Sequence, residues 1–274
     1  MPNLATYDQA PTKGFAGQIA LPAEGFRVVS RLALGAIIAG APLLRDVDNG
    51  SESGVQSLLE VAAADADGIV TSLATAATAS SLTTTSLNGA VGQGELVPAR
   101  NITITATSNA NFDLTTWFVR GLDENGLPQE EAFVMPDAGN VTLTGKKFFS
   151  KVTEVYVPAQ SGTGGSYTVG FGSAVGPIDK HFAGIALYDA TKPPGAYAED
   201  DSVSVLEEGA IYVQSETAVD PTKPVYVRLV ISGNEVRGHF RATVDANDLA
   251  QIVRARWIEK TTGAGVAGLR LLSR

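Results

Sequence analysis

The glycines at 263–268, "GAGVAG", carry the spacing of a dinucleotide-binding fingerprint. That chemistry needs a strand before the glycines and a helix of several turns after them, so that a phosphate meets the positive end of the helix. Only six residues follow Gly268 in this sequence, and the segment reads as a glycine-rich hairpin turn. Asp46, Asp48, Asn49 and Glu52 crowd together in "DVDNGSE". A helix–loop–helix calcium site would need glycine at its sixth position and a bidentate glutamate at its twelfth. Counted from Asp46, Gly50 is fifth and Ser57 twelfth, so a solvated turn is expected. His181 in "DKHFAG" and His239 in "GHFRA" are the two histidines. A nucleophilic triad would need one of them held by a carboxylate and facing an exposed hydroxyl. There is no G-x-S-x-G elbow, and "SGTGGS" at 161–166 reads as a flexible loop, so both histidines read as structural or surface residues.

The acidic pairs "EE" at 130–131 and 207–208 and the run "EDD" at 199–201 supply carboxylates in the number a glycosidase uses. Adjacent carboxylates at strand ends ordinarily solvate a turn, and the aromatic content is 7%, thin for a sugar cleft. No catalytic, cofactor-binding or metal-ligating residue is assigned, no cofactor is expected, and the chain does not read as an enzyme.

The elements that carry these residues belong to a chain of 274 residues, ample for a sizeable core. It is 44% hydrophobic and 18% charged, which places it among globular chains. Its formal net charge of -9 repels phosphate backbones, so nucleic acid is not an expected partner. With no cysteine there is no disulfide or thiolate chemistry. The first twenty residues lack a basic stretch followed by an apolar core, so no signal peptide is expected. The most apolar run, "LALGAIIAGAPLL" at 32–44, is broken by Gly35, Gly40 and Pro42. It falls short of the ~20 residues that span a bilayer and reads as buried short strands, with no membrane partner.

Residues 1–20 hold Pro2, Pro11, Gly14 and Gly17 without sustained periodicity and read as an extended N-terminal arm. Residues 65–95 are rich in Ala, Thr, Ser and Gly, and their threonines oppose a helix. From about 97 to 172 strand signals dominate. In "NITITATSN", Ile102, Ile104 and Ala106 share one face and Thr103, Thr105 and Thr107 the other. "TTWFVRGLDENGLPQEEAFVM" reads as a hairpin turning at Asn125-Gly126. An antiparallel sandwich is expected here, filled by Trp117, Val119, Phe133, Val141, Val155, Tyr167 and Val169. Beyond Pro177, "DDSVSVLEEGAIYVQSE" at 200–216 reads as a hairpin turning at Glu208-Gly209. In the following strand Val225, Val227, Leu229 and Ile231 line one face and Tyr226 and Arg228 the other. "ANDLAQIV" at 246–253 reads as a short helix, and "RARWIEKT" with "LRLLS" as a closing pair around the glycines. The fold class is all-β: a small β-barrel core from 21–64 plus 177–274, with an antiparallel Ig-like β-sandwich inserted at 65–176.

The segments "KGFAGQIA" (13–20), "DKHFAGIALYDA" (179–190), "SVSVLEEGAIYVQSE" (202–216), "KPVYVRL" (223–229) and "ARWIEKTTGAGVAGLRLL" (255–272) together resemble the structural cement proteins that decorate tailed-phage heads. The middle segment, through "RNITITATSNANFD", "WFVRGLDENGLPQEEAF" and "KKFFSKVTEVYV", is similar to Ig-like sandwiches of phage virion proteins. The resemblance implies a virion protein, made in the host cytoplasm and placed on the outer surface of the capsid. It would bind the major capsid protein, stabilise contacts between its subunits and contact neighbouring copies of itself as a homo-dimer or homo-trimer. The arm, with Tyr7 and Phe15 as apolar anchors and Lys13 as a polar contact, is expected to make the capsid or subunit interface. The alternative is a carbohydrate-binding or receptor-adhesion module. That alternative expects Trp117, Tyr156 or Tyr167 to face outward.

Overall fold

Runs in which β-branched and aromatic residues alternate with polar ones make a pleated strand with one apolar face, and such strands dominate this chain. The structure, a computed structural model, describes residues 14–20, 25–45, 54–57, 63–83, 85–92, 94–107, 112–136, 140–161, 164–192, 196–229, 236–244 and 249–273. No helix occurs among them, and none is therefore long and apolar enough to cross a membrane. The chain divides into two compact units, one of residues 1–59, 181–243 and 252–274, the other of residues 60–180 and 244–251.

The first unit opens with β1 (Arg27–Ala33), β2 (Ile37–Ile38), β3 (Pro42–Arg45) and β4 (Gly54–Ser57). The second unit holds β5 (Asp65–Ala74), β6 (Ser80–Leu82), β7 (Arg100–Thr107), β8 (Thr116–Leu122), β9 (Pro128–Val134), β10 (Val141–Phe149), β11 (Lys151–Val157) and β12 (Ser166–Val175). The chain returns to the first unit through β13 (Phe182–Ala186), β14 (Ala196–Tyr197), β15 (Ser202–Ser215), β16 (Tyr226–Arg228) and β17 (Phe240–Arg241). It touches the second again with β18 (Leu249–Gln251), then ends in the first with β19 (Ala255–Trp257) and β20 (Gly265–Leu271).

In the first unit β1 pairs with β4, β4 with β3, β3 with β13, β13 with β15, and β15 back with β1. Five strands thus close into a barrel, which leaves no open sheet edge around the ring. Ala33, Leu43, Val55, Ala183, Val203 and Val205, all at 0% exposure, belong to one core cluster that joins all five strands. A ring this small is filled by its own side chains.

The segment 202–216 is not a hairpin. It is one strand, β15, of 14 residues. Its first half pairs with β1 up to Glu208, and its second half pairs with β20 from Gly209 to Ser215. In sequence, a glycine that interrupts the alternation has the signature of a turn. Here it marks the point where one strand leaves the barrel and enters a second pairing. Gly209 has φ 121°, and a Cβ on it would lie 2.8 Å from the Cβ of Phe26. β19 and β20 close antiparallel, Ala255 opposite Leu271 and Trp257 opposite Leu269. Of the glycines expected to form a turn, Gly263 alone lies in the connection; residues 265–268 are already strand, with Gly265 opposite Ser215 and Gly268 opposite Tyr212.

Val225, Val227 and Leu229 are buried as one face, and Ile231 lies outside the described residues. Arg228, on the opposite face, is equally buried at 1% exposure. The helix expected at 246–253 is absent from its described part, since Leu249–Gln251 is strand. Eight residues are too few for a helix to stand by itself, and here the Gln251 carbonyl accepts the Ile178 N–H at 3.2 Å.

The second unit contains two four-stranded sheets, in the orders β10-β7-β12-β5 and β6-β11-β8-β9. Trp117, Val119, Phe133, Val155, Tyr167 and Val169 are buried in its core, while Val141 packs against that core half-buried. The β8–β9 hairpin turns at 123–126, where the Gly126 N–H donates to the Asp123 carbonyl at 3.1 Å. The Ala- and Thr-rich stretch after residue 64 forms β5 and β6.

Candidate interaction surface

The described part of the arm begins at Gly14; Tyr7 and Lys13 lie outside the described residues. Residues 17–20 lie along the second half of β15. The Gly17 N–H donates to the Tyr212 carbonyl at 2.8 Å, the Tyr212 N–H to the Gln18 carbonyl at 2.9 Å, and the Ala20 N–H to the Ala210 carbonyl at 2.8 Å. Ile19 and Ile211 form an antiparallel bridge. Residues 17–20 thus pair along β15 of their own chain, held by backbone groups that would otherwise need water. Gly17 has φ 87°, and a Cβ on it would lie 2.9 Å from the backbone nitrogens of Gly40 and Tyr188. Glycine permits that close seat.

This seating puts Phe15 edge-on to Tyr188, with ring centroids 4.6 Å apart and planes at 70°. Both remain substantially exposed, Phe15 at 50% and Tyr188 at 42%. On the same unit, Ile38 at 67% and Val236 at 47% are also exposed. Three shallow depressions are lined by these side chains. One of about 370 Å³ is lined by Phe15, Gly17, Leu187 and Tyr188. Another of about 260 Å³ runs from Ala16 past Ile38 and Gly40 to Val236 and His239. A third of about 220 Å³ shares Ile38, Ala41, Val236 and Arg237 with it. Single exposed apolar residues are ordinary, whereas a grouped and grooved set marks a contact surface. Of the residues that compose it, sequence reasoning picked out Phe15. Ile38 was hidden in a run read as wholly buried; in β2, Ile37 points in at 0% exposure and Ile38 points out. The pleat itself was the available signal.

Among the described residues the histidines and carboxylates have separate partners. His239 is half-buried, and burial pushes its pKa down, with Arg228 adding to the shift and Glu216 opposing it. The other polar side chains described around its groove are Gln214 and Arg237, neither a nucleophile. The His181 carbonyl accepts the Arg45 N–H at 2.8 Å. Asp46, Asp48, Asn49 and Glu52 lie outside the described residues. Among the described residues no group of three or more His, Asp or Glu side chains is placed to hold a metal.

The acidic pairs serve the framework. Glu131 accepts the Lys146 N–H at 2.6 Å, and Glu130 takes Arg120 at 2.6 Å. Asp201 accepts the Ala198 N–H at 2.8 Å and pairs with Lys192 at 2.6 Å. Glu207 pairs with Arg31 at 2.7 Å and Arg27 at 3.2 Å. Burial raises the Glu207 carboxyl, but the Arg31 hydrogen bond and the charges of Arg27, Arg31 and Arg45 overcome it and hold the pKa below the usual range.

A family model described as structural cement protein (E217 gp24/Pam3 gp6) matches residues 135–272, half of the chain. The chain belongs to that family. The cement protein's matched stretch includes the motifs at 179–190, 202–216, 223–229 and 255–272, and it begins at Met135, inside the second unit. "KGFAGQIA" at 13–20 lies outside it. Among solved structures, a chain from the capsid of Myoviridae phage XM1 aligns over 98% of this chain and 97% of its own, at 14% identity and a TM-score of 0.42. No curated protein matches. The cement protein is a structural protein of a phage virion, located in the capsid, where it binds capsid protein and stabilises the shell.

Proposed function

We propose that the barrel unit is the capsid-binding part of this cement protein, and that it sits on the outer surface of the head across contacts between major capsid protein subunits. The observation that carries this reading is the grooved apolar face of Phe15, Ile38, Tyr188 and Val236, grouped on one unit. Burying such a face removes apolar area from water at about 25 cal/mol per Å². Many equal contacts on one shell then add as avidity. The arm supports the reading: its backbone bonds to β15 hold Phe15 beside Tyr188, and Tyr7 and Lys13 precede it as further contacts. Contacts between neighbouring copies, as a dimer or trimer, extend the same lattice. The protein is made in the host cytoplasm and joins the head there. It acts without catalysis, cofactor or nucleic acid, consistent with its net charge of -9 and with carboxylates engaged in framework bonds.

The test uses purified heads that lack the protein. Wild-type chain is expected to fill them and to raise the temperature at which they disrupt. A Phe15→Ala/Ile38→Asp variant is expected to keep its own melting temperature and to lose at least about tenfold in affinity for heads, equivalent to ~1.4 kcal/mol. Undiminished occupancy by that variant would move the interface elsewhere.

A further inference from the structure

The outward face of the β6-β11-β8-β9 sheet has a second organised surface, entirely within the second unit. Its register sets side chains in rows across the strands. One row runs Ser81, Tyr156, Phe118, Ala132. The next runs Glu154, Arg120, Glu130. Phe118 and Tyr156 lie side by side, with centroids 6.3 Å apart and planes at 44°, and both are half-buried while Trp117, Val119 and Val155 take the core side. Their row neighbours, Ser81 and Ala132, are too small to cover the rings. Arg120 bridges two carboxylates, donating from Nε to Glu130 at 2.6 Å and from Nη1 to Glu154 at 2.9 Å. Ser81 donates to the other oxygen of Glu154, and the Arg120 guanidinium stands 6.0 Å from the Phe118 ring centroid. The polar row is therefore held in place before any ligand arrives, yet Arg120 and Glu130 remain 45% and 44% exposed.

We propose that this face is a platform for a neutral polysaccharide chain, laid across the strands on Tyr156 and Phe118, with its hydroxyls on Glu130, Arg120 and Glu154. Sugar C–H groups carry partial positive charge and meet the negative ring faces, while hydroxyls both donate to carboxylates and accept from guanidinium. At about 4.8 Å between strands, a four-strand row spans about 14 Å, the reach of a short stretch of an extended chain. The polar row sets two carboxylates against the Arg120 guanidinium and, beside Glu130, the Lys147 ammonium at 2.7 Å from its carbonyl, so it offers no net positive charge to draw a phosphate or an anionic glycan. Two half-buried rings flanked by serine and alanine, with the exposed Val134 two residues along β9, are a small apolar area for a protein partner, which ordinarily covers about 800 Å² per side around an apolar core.

The experiment is affinity electrophoresis of the full chain in native gels containing dextran, xyloglucan, galactomannan or polygalacturonate. Retardation by at least one of the three neutral polymers and not by polygalacturonate is expected. Tyr156→Ala is expected to weaken it at least about tenfold. Ala132→Arg, which covers the row without touching the core, is expected to do the same at unchanged melting temperature. Occupancy of heads by both variants is expected to equal that of wild type, so the platform and the capsid face are separated by one pair of proteins. The proposal is overturned if no neutral polymer retards the wild type, or if both variants are retarded as it is. It is equally overturned if the variants lose head occupancy while wild type ignores the polymers, since the face is then a protein contact.

Discussion

Arg228 and Glu216 form an ion pair with almost no access to water: Nε lies 2.9 Å from the carboxylate, and the two side chains are 1% and 9% exposed. Arg241, 12% exposed, reaches the same carboxylate at 3.5 Å. The pair links β16 to the chain just beyond β15 and follows the buried Val227 of its own strand. Charges removed from water are held by each other and by hydrogen bonds, and losing one partner exposes the cost of burying the other.

Arg228→Met is therefore expected to lower unfolding free energy by about 3–5 kcal/mol, the range for breaking a buried pair from one side. Glu216→Gln, which removes the carboxylate that both arginines face, should cost at least as much. Chemical denaturation of the purified chain measures both. A loss below about 1 kcal/mol, as for an exposed pair, would contradict the burial.

At Gly209 any side chain meets two obstacles, a φ of 121° and the Cβ of Phe26 at 2.8 Å. Gly209→Ala is expected to cost about 1–3 kcal/mol, as strained backbone does. Phe26→Gly in the same background removes that Cβ but not the torsion, so, set against Phe26→Gly alone, Gly209→Ala should cost less than it does in wild type. Thermal melts of the two single variants and the double variant give the comparison; full recovery would mean that the torsion carries no strain.

Acid should destabilise the barrel unit through two groups with the same sign. The Glu207 pKa is depressed in the folded chain, so its contribution is present above the unfolded value, about 4.3, and fades as pH falls through the folded value. His239 is also depressed. Below its unfolded value of about 6.5 the unfolded chain binds the proton first, and stability falls from there. Melting temperature is expected to decline first below about pH 6.5 and again below about pH 4.3. His239→Gln should flatten the first decline and Glu207→Gln the second; unchanged profiles would show that neither group governs it.

Strand character was readable residue by residue, because the pleat forces alternation. Ile102, Ile104 and Ala106 turn inward together, and Trp117, Tyr167 and Val169 enter a core as their spacing required. The turn at 123–126 was equally local, since four residues suffice to make it. With Trp117 and Tyr167 in the core, of the three aromatics named for an outward glycan face only Tyr156 stands there, and its neighbour Phe118 was not anticipated. The family motifs, short and glycine-marked, were likewise visible in the amino acids, and the family match covers four of them.

What alternation cannot encode is which strand lies beside which. Glu208-Gly209 looks the same whether the chain turns back or continues, and the pairing of residues 202–208 with β1 and 209–215 with β20 decides it. Arg228 alternates as a surface residue would, and Glu216 and Arg241, contributed by other segments, make its burial tolerable. Phe15 meets Tyr188, and Ile19 meets Ile211, across more than 170 residues of chain. Sequence determined the faces of the strands, because a face depends on two-residue spacing. Tertiary structure decided the barrel closure, the buried charges and the grouped apolar side chains, because each depends on backbone bonds and burial shared by segments far apart in the chain.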